Sequence, residues 1–166
     1  THLDKKIIFT SSASVYTPNS SPYAMSKLFI ETVMANTFVQ GIIFRLFNVY
    51  GKGMNKTTML ARFQKENPIT IYGDGKQTRD FIHIDDVVSI LVSALDKKWN
   101  NKIMDVGTGE ERTVLSIAKL FKKPIIHKDK RTEVQKSVAN IKALRKLYMK
   151  PFIKIQDYVY ERRTLA

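Results

Sequence analysis

No cysteine occurs in these 166 residues. That excludes disulfides, thiolate zinc sites and cysteine nucleophiles, and it fits a cytoplasmic compartment. No apolar run approaches the roughly 18 residues that a membrane span needs, and no apolar segment with a cleavage site reads as a signal peptide. Acidic residues are scarce beside basic ones. Asp and Glu number 15 against 28 Lys and Arg, for a formal charge of +13. The excess favours anionic partners: nucleic acid, a membrane surface or phosphorylated small molecules. Yet no block of like charge is long enough to form a nucleic-acid arm. The densest stretch, Lys119 to Arg131, spreads over a helix end, a short strand and a turn, so it reads as a solvated basic face and nucleic acid is not the expected partner. Internal repeats, low-complexity tracts and flexible linkers are also missing. The length suits one domain, or part of one, burying about two-thirds of its unfolded surface.

What is there alternates strand with helix. Lys6 to Thr10, Ile42 to Phe47 and Lys102 to Val106 are short apolar runs of the kind buried on both faces in a parallel sheet. Ser21 suits a helix cap and Pro22 the first turn. Met25, Leu28, Phe29, Val33 and Met34 then recur at helical spacing and predict a core-facing stripe, with Gly41 as the stop. Ile69 to Tyr72 predicts a strand, Gly73-Asp74-Gly75 a turn, and Asp85 to Leu95 a helix. Further helices are expected over Val114 to Phe121, Ile141 to Tyr148 and Ile155 to Arg162. The pattern predicts a parallel α/β sheet.

Chemistry concentrates near the start. Ser12 ends an apolar strand, and Tyr23 and Lys27 lie four apart, on one helical face. A phenol loses its proton near pH 10, so ionising it at neutral pH costs roughly 4 kcal/mol. A positive charge about 4 Å away offsets a similar amount at an effective dielectric near 20. Lys27 can thus make Tyr23 a usable base, with Ser12 bonding the same substrate hydroxyl. The pair alone also suits a tyrosine packed on a lysine stem.

The wider pattern is more specific. Ser11-Ser12-Ala13-Ser14-Val15-Tyr16, Tyr23-Ala24-Met25-Ser26-Lys27, Arg45-Leu46-Phe47-Asn48-Val49-Tyr50-Gly51 and the run from Ile71 to Asp86 occur in that order. Asp105 to Gly109, Arg131-Thr132-Glu133, Ala139-Asn140-Ile141 and Leu147 to Pro151 follow. This resembles the extended short-chain dehydrogenase/reductase family, in particular its NAD-dependent nucleotide-sugar epimerases and dehydratases. The resemblance implies a remnant of a parallel Rossmann-type sheet (about 1–50 and 85–109) plus a smaller mixed α/β substrate lobe (about 51–84 and 110–166). It implies Ser12, Tyr23 and Lys27 as the catalytic trio. Ser11, Phe47, Tyr23 and Lys27 would meet NAD. Asn48, Arg79 and Arg131 would grip the diphosphate of a UDP-sugar, and Glu133 its nucleoside. Relatives that dehydrate or decarboxylate carry acids just after the catalytic hydroxyl; here Ala13 and Ser14 stand there. Hydroxyl oxidation at carbon 4 and its reversal from the other face is the match that remains.

Three departures bear on that match. The stretch between Tyr16 and Tyr23 is shorter than is usual in the family, which affects where Tyr23 stands relative to Ser12. Arg131-Thr132-Glu133 is one residue shorter than the usual spacing. The family's opening strand and Gly-x-x-Gly-x-x-Gly turn, which receives the dinucleotide pyrophosphate, do not occur in these residues. A partner segment, from a longer parent, a separate chain or another copy, is therefore expected to cover an open sheet edge and apolar face. His83-Ile84-Asp85-Asp86 is read as a helix start capped by Asp85 or Asp86, with no metal. Asp157 and Glu161 read as a solvated helix face, and Trp99 as a loop anchor.

Overall fold

The computed structural model describes residues 6–37, 40–98 and 102–164, so the expectation for Trp99 lies outside the described residues. In chain order the elements are β1 (Ile7–Ser12), α1 (Pro22–Ala35), β2 (Gly41–Leu46), β3 (Asn48–Tyr50), α2 (Met59–Lys65), β4 (Ile69–Tyr72), β5 (Thr78–Arg79), β6 (Phe81–His83), α3 (Ile84–Leu95), β7 (Lys102–Val106), β8 (Arg112–Thr113), α4 (Val114–Leu120), β9 (Ile125–Lys128), β10 (Lys136–Ser137), α5 (Leu144–Leu147) and α6 (Ile155–Thr164). Two short 3₁₀ turns, Ala13–Tyr16 and Pro18–Ser20, link β1 to α1.

The main sheet is parallel, in the order β1-β2-β7. Its apolar runs are the ones the sequence shows: Ile42, Ile43 and Phe44 are buried in β2, Met104 and Val106 in β7. Parallel pairs β3–β6 and β4–β9 and a small mixed sheet, β10-β5-β8, complete the framework. Buried apolar residues form two clusters. One joins β2, β7 and α3 through Phe44, Ile90 and Val106, and takes Leu144 and Tyr148 from the tail. The other joins α2, β4, α4 and α6 through Phe63, Ile71, Ile117 and Val159.

The first helix departs most from expectation. Ser21 caps it as predicted, its Oγ accepting from Ala24 N, and Pro22 occupies the first turn. Of the stripe predicted to be core, Met34 is buried and Leu28 half-buried, but the other three face out: Phe29 is 69% exposed, and Met25 and Val33 are exposed too. The inward face holds Ala24, Met34 and, at 3% exposure, Glu31. A charged residue faces the sheet because its partners wait there. Arg45 of β2 donates to both Glu31 carboxylate oxygens (Nη2–Oε2 2.7 Å) and Ser11 of β1 donates to Oε1 at 2.6 Å. Burial of that carboxylate fixes the helix's rotation and sends Met25, Phe29 and Val33 outward. The carboxylate's hydrogen bonds also push the Arg45 guanidinium above its already high range.

The helix also ends earlier than predicted, at Ala35, where Asn36 N–H donates to Thr32 and Val33 oxygens. Gly41 begins β2 rather than stopping α1. A Cβ there would lie 2.6 Å from Ile7 O, so glycine permits the close approach of β1 and β2. The helix expected from Ile141 to Tyr148 is regular only over Leu144–Leu147. At α3 the cap is His83, whose Nδ1 accepts from Asp85 N at 3.2 Å, rather than either aspartate. Asp86 is buried and does another job: it accepts from Tyr148 Oη and Ile153 N, both at 2.9 Å, and anchors the tail.

Asp80, between β5 and β6, is wholly buried. Its carboxylate accepts from Thr108 N and Oγ1, Gly109 N and Ala139 N. The loop after β7 is thereby tied to β5 and the stretch before α5. Gly107 packs directly on this knot: a Cβ would meet Asp80 Oδ2 at 2.5 Å and the Ala139 Cβ at 2.7 Å. Gly107→Ala is expected to cost about 2–3 kcal/mol through overpacking of a site that cannot give way, measured as a lower denaturant midpoint at unchanged slope.

Candidate functional site: a cleft at the carboxyl ends of the parallel strands

The carboxyl ends of β1 and β2 open onto a cleft of about 840 Å³. Ser12 and the turn after it form one wall; Phe47 and Asn48, which follow β2, form the floor. Arg79, Glu133 and Asn140 close the far side. A smaller cavity of about 270 Å³ adjoins it and shares Asn48, Arg79 and Glu133, adding Tyr72, Gln77, Arg62 and Arg131.

Ser12 Oγ accepts from Ser14 N at 3.2 Å and from Ser14 Oγ at 3.0 Å. With both lone pairs so used, its own hydrogen remains available to donate. Phe47 is buried, its N–H donating to Val106 O. Asn48 Nδ2 donates to Asp80 O at 2.8 Å, so the buried knot also sets the cleft floor. Ser11, the residue before the catalytic candidate, faces the other way and gives its hydroxyl to Glu31.

Arg79 Nη1 donates to Thr78 O and Val134 O, and Nη2 to Glu133 Oε2 at 2.6 Å. Glu133 Oε1 accepts from Gln77 Nε2 at 3.1 Å. Arg131 lies flat over Tyr72, its Cζ 3.3 Å from the ring centroid, a cation–π contact that also makes a planar platform.

Tyr23 and Lys27 sit on α1 and do not line the cleft. Lys27 Nζ donates to Thr10 O at 2.9 Å, two residues before Ser12, and stands 5.7 Å from the Tyr23 ring centroid and 4.9 Å from that of Phe9. Tyr23 is 55% exposed. The structure thus brings Ser12, Phe47, Asn48, Arg79 and Glu133 together, puts Arg131 next door, and leaves the tyrosine–lysine pair on the neighbouring helix.

Several contributors were not singled out from sequence. Tyr16 donates to Asp105 Oδ1 at 2.7 Å beneath the Arg45 guanidinium, 4.8 Å from its ring. Burial first, and then this bond to a carboxylate, raise its pKa. Asp105 Oδ2 accepts from Asn140 N. The available signals were Tyr16, which closes one of the quoted motif runs, and Asp105, which opens another. Among the described residues no group of three or more His, Asp or Glu is placed to hold a metal, and no described helix is long and apolar enough to cross a membrane.

A ligand cleft where parallel strands end is the layout of an open α/β nucleotide-binding fold. The chain belongs to the NAD dependent epimerase/dehydratase family, whose model matches residues 3–107. It is 30% identical over 142 residues to a UDP-N-acetyl-alpha-D-glucosaminuronate decarboxylase of Bacillus cytotoxicus, covering 69% of this chain and 44% of that protein. It is also 30% identical over 161 residues to a UDP-glucuronate 4-epimerase of Thermodesulfobacterium geofontis, covering 83% and 49%. The crystal structure of UDP-glucuronic acid 4-epimerase from Bacillus cereus, with UDP-glucuronic acid and NAD, matches with a TM-score of 0.83 at 26% identity, covering 99% of this chain and 62% of that one. The chain therefore spans about half the length of these curated relatives.

Proposed function

We propose that this chain is the sugar-nucleotide part of an NAD-dependent 4-epimerase acting on a UDP-linked sugar. The observation that carries the reading is the cleft itself, which joins the Ser12 hydroxyl to Arg79 and, through the adjoining cavity, to Arg131. Guanidinium forks match diphosphate oxygens in shape and charge. Both carboxylates lining the larger cleft already accept hydrogen bonds, Asp105 from Tyr16 and Asn140, Glu133 from Arg79 and Gln77. Neither is disposed to pull a proton from carbon. That favours alcohol oxidation and its reversal over dehydration.

Lys27 uses one of its three donors on Thr10 O, which leaves two for the ribose hydroxyls at the nicotinamide end of NAD. NAD, held at its nicotinamide ribose by Lys27, would supply reversible hydride acceptance at carbon 4. Tyr23 takes the carbon-4 hydroxyl proton and gives it back, with the Lys27 charge beside the phenol. Ser12 donates to the same sugar oxygen. Arg79, Arg131 and Asn48 hold the nucleotide end while the sugar turns. A cofactor-binding half or a second copy completes the assembly, and two features support that part of the reading: one edge of β1 pairs with no strand among the described residues, and Met25, Phe29 and Val33 of α1 are exposed.

Tyr23→Phe is expected to lower turnover about 10²–10⁴-fold in the assembled enzyme while UDP-glucose affinity, read by calorimetry, stays the same. Equal turnover would refute the role. A second reading, nucleotide-sugar binding without turnover, draws on the position of Tyr23 outside the cleft. UDP-glucose binding with no NAD binding, even after a cofactor-binding half is added, would select it.

A further inference from the structure

The protein carries +13, yet the charge lining its main cleft cancels: Arg79 and Lys136 stand against Asp105 and Glu133. Each cation is already engaged. Lys136 Nζ bonds Glu111 at 2.6 Å and Arg79 bonds Glu133 at 2.6 Å. In the adjoining cavity Arg62 bonds Glu66 at 2.8 Å, which leaves Arg131, over Tyr72, as the lining arginine that forms no ion pair among the described residues. An anion entering this site meets Arg131 open and Arg79 occupied.

Glu133 is the occupant that matters. It is part of the stretch between β9 and β10 that forms no regular element, and both its oxygens are engaged, by Arg79 and by Gln77. Arg79 itself cannot follow a ligand: two main-chain oxygens, Thr78 O and Val134 O, fix its Nη1. The guanidinium is thus rigid and preorganised, and what changes on binding is the anion it holds. Resting on the nucleotide-sugar reading above, we infer that Glu133 is a built-in competitor, an internal carboxylate that holds the anion-binding edge of Arg79 until a diphosphate displaces it and so weakens diphosphate binding. A neutral nucleoside cannot displace it, since it offers Arg79 no charge in exchange. A diphosphate offers more acceptor oxygens and charge than one carboxylate, and Arg131 alongside favours the exchange. The cleft therefore binds a diphosphate less tightly than an unoccupied Arg79 would allow.

The test is calorimetric titration of Glu133→Gln with UDP-glucose and with uridine at fixed salt. Glutamine keeps an acceptor oxygen for Arg79 or Gln77 but removes the competing charge. UDP-glucose affinity is expected to rise about three- to fivefold, the size of one partly exposed ion pair, with no comparable gain for uridine. In an Arg79→Gln background the same replacement is expected to gain nothing. That separates competition at Arg79 from a general loss of negative charge. Equal or weaker UDP-glucose binding by Glu133→Gln would overturn the inference, as would an equal gain in the Arg79→Gln background. Absence of saturable binding of UDP-glucose to both wild type and Glu133→Gln would instead remove the nucleotide-sugar reading and this inference with it.

Discussion

Asp80→Ala is expected to lose about 3–5 kcal/mol of stability, and with it about 10 °C or more of thermal midpoint for a chain of this length. Four donors converge on the carboxylate: Thr108 N and Oγ1 on Oδ1, Gly109 N and Ala139 N on Oδ2. Asp80 itself has no exposed surface. Alanine leaves each of them without its acceptor and opens a void in the middle of three segments. The isostere separates hydrogen bonding from packing. Asparagine fills the space and its carbonyl serves the two Thr108 donors, but its amide then points N–H groups at the N–H groups of Gly109 and Ala139. Asp80→Asn should therefore still cost about 2–3 kcal/mol, read by thermal melt and denaturant titration together. A loss below 1 kcal/mol for asparagine would show that volume, rather than the acceptor count, holds the knot. Because Asn48 donates to the Asp80 main-chain oxygen and Arg79 precedes it, the alanine variant should also weaken ligand binding.

The second large effect is expected at Glu31. Removing its side chain takes the counter-charge from the Arg45 guanidinium, itself mostly buried, and the acceptor from the Ser11 hydroxyl. Breaking a buried pair from one side typically costs 3–5 kcal/mol, because the surviving charge has neither water nor a partner. Glu31→Ala is expected to fall in that range. The double replacement Glu31→Leu with Arg45→Leu should recover much of the loss, since apolar groups of similar volume replace a desolvated pair at little net cost. Unfolding midpoints of the single and double variants close the cycle. If the double variant is no more stable than Glu31→Ala, the pair's charges are not what tethers α1.

Parts of this molecule could be read directly from its residues. Ile69–Tyr72 and Lys102–Val106 begin and end where their apolar runs do, and Ser21-Pro22 starts α1, because these signals are local and nothing distant competes with them. The rotation of α1 could not be read that way. A helical stripe of Met25, Leu28, Phe29, Val33 and Met34 looks like a core face, and the pairing of Glu31 with residues from two different strands turns Met25, Phe29 and Val33 out while Met34 stays in. The same holds for Asp86: a helix-start aspartate resembles a cap until Tyr148 and Ile153, some sixty residues on, claim it. Two-residue strands such as β5, β8 and β10 carry no periodicity of their own and exist through their neighbours. For the site, residue types and order marked Ser12, Asn48, Arg79 and Glu133 as candidates, and they do share the cleft. The placement of Tyr23 beside it rather than in it follows from the short connection between Tyr16 and α1, two compact turns that no local pattern specifies.

The cleft's walls come from far apart along the chain, from Ser12 through Asn48, Arg79 and Glu133 to Asn140. No half of the polypeptide owns it. A molecule lodged there bridges the first strand, the mid-chain arginine and the stretch before α5 at once, and it can do so only when all of them have assembled. Occupancy and foldedness are consequently one equilibrium, with the ligand acting as a rivet through the whole architecture and stabilising it in proportion to the logarithm of its concentration.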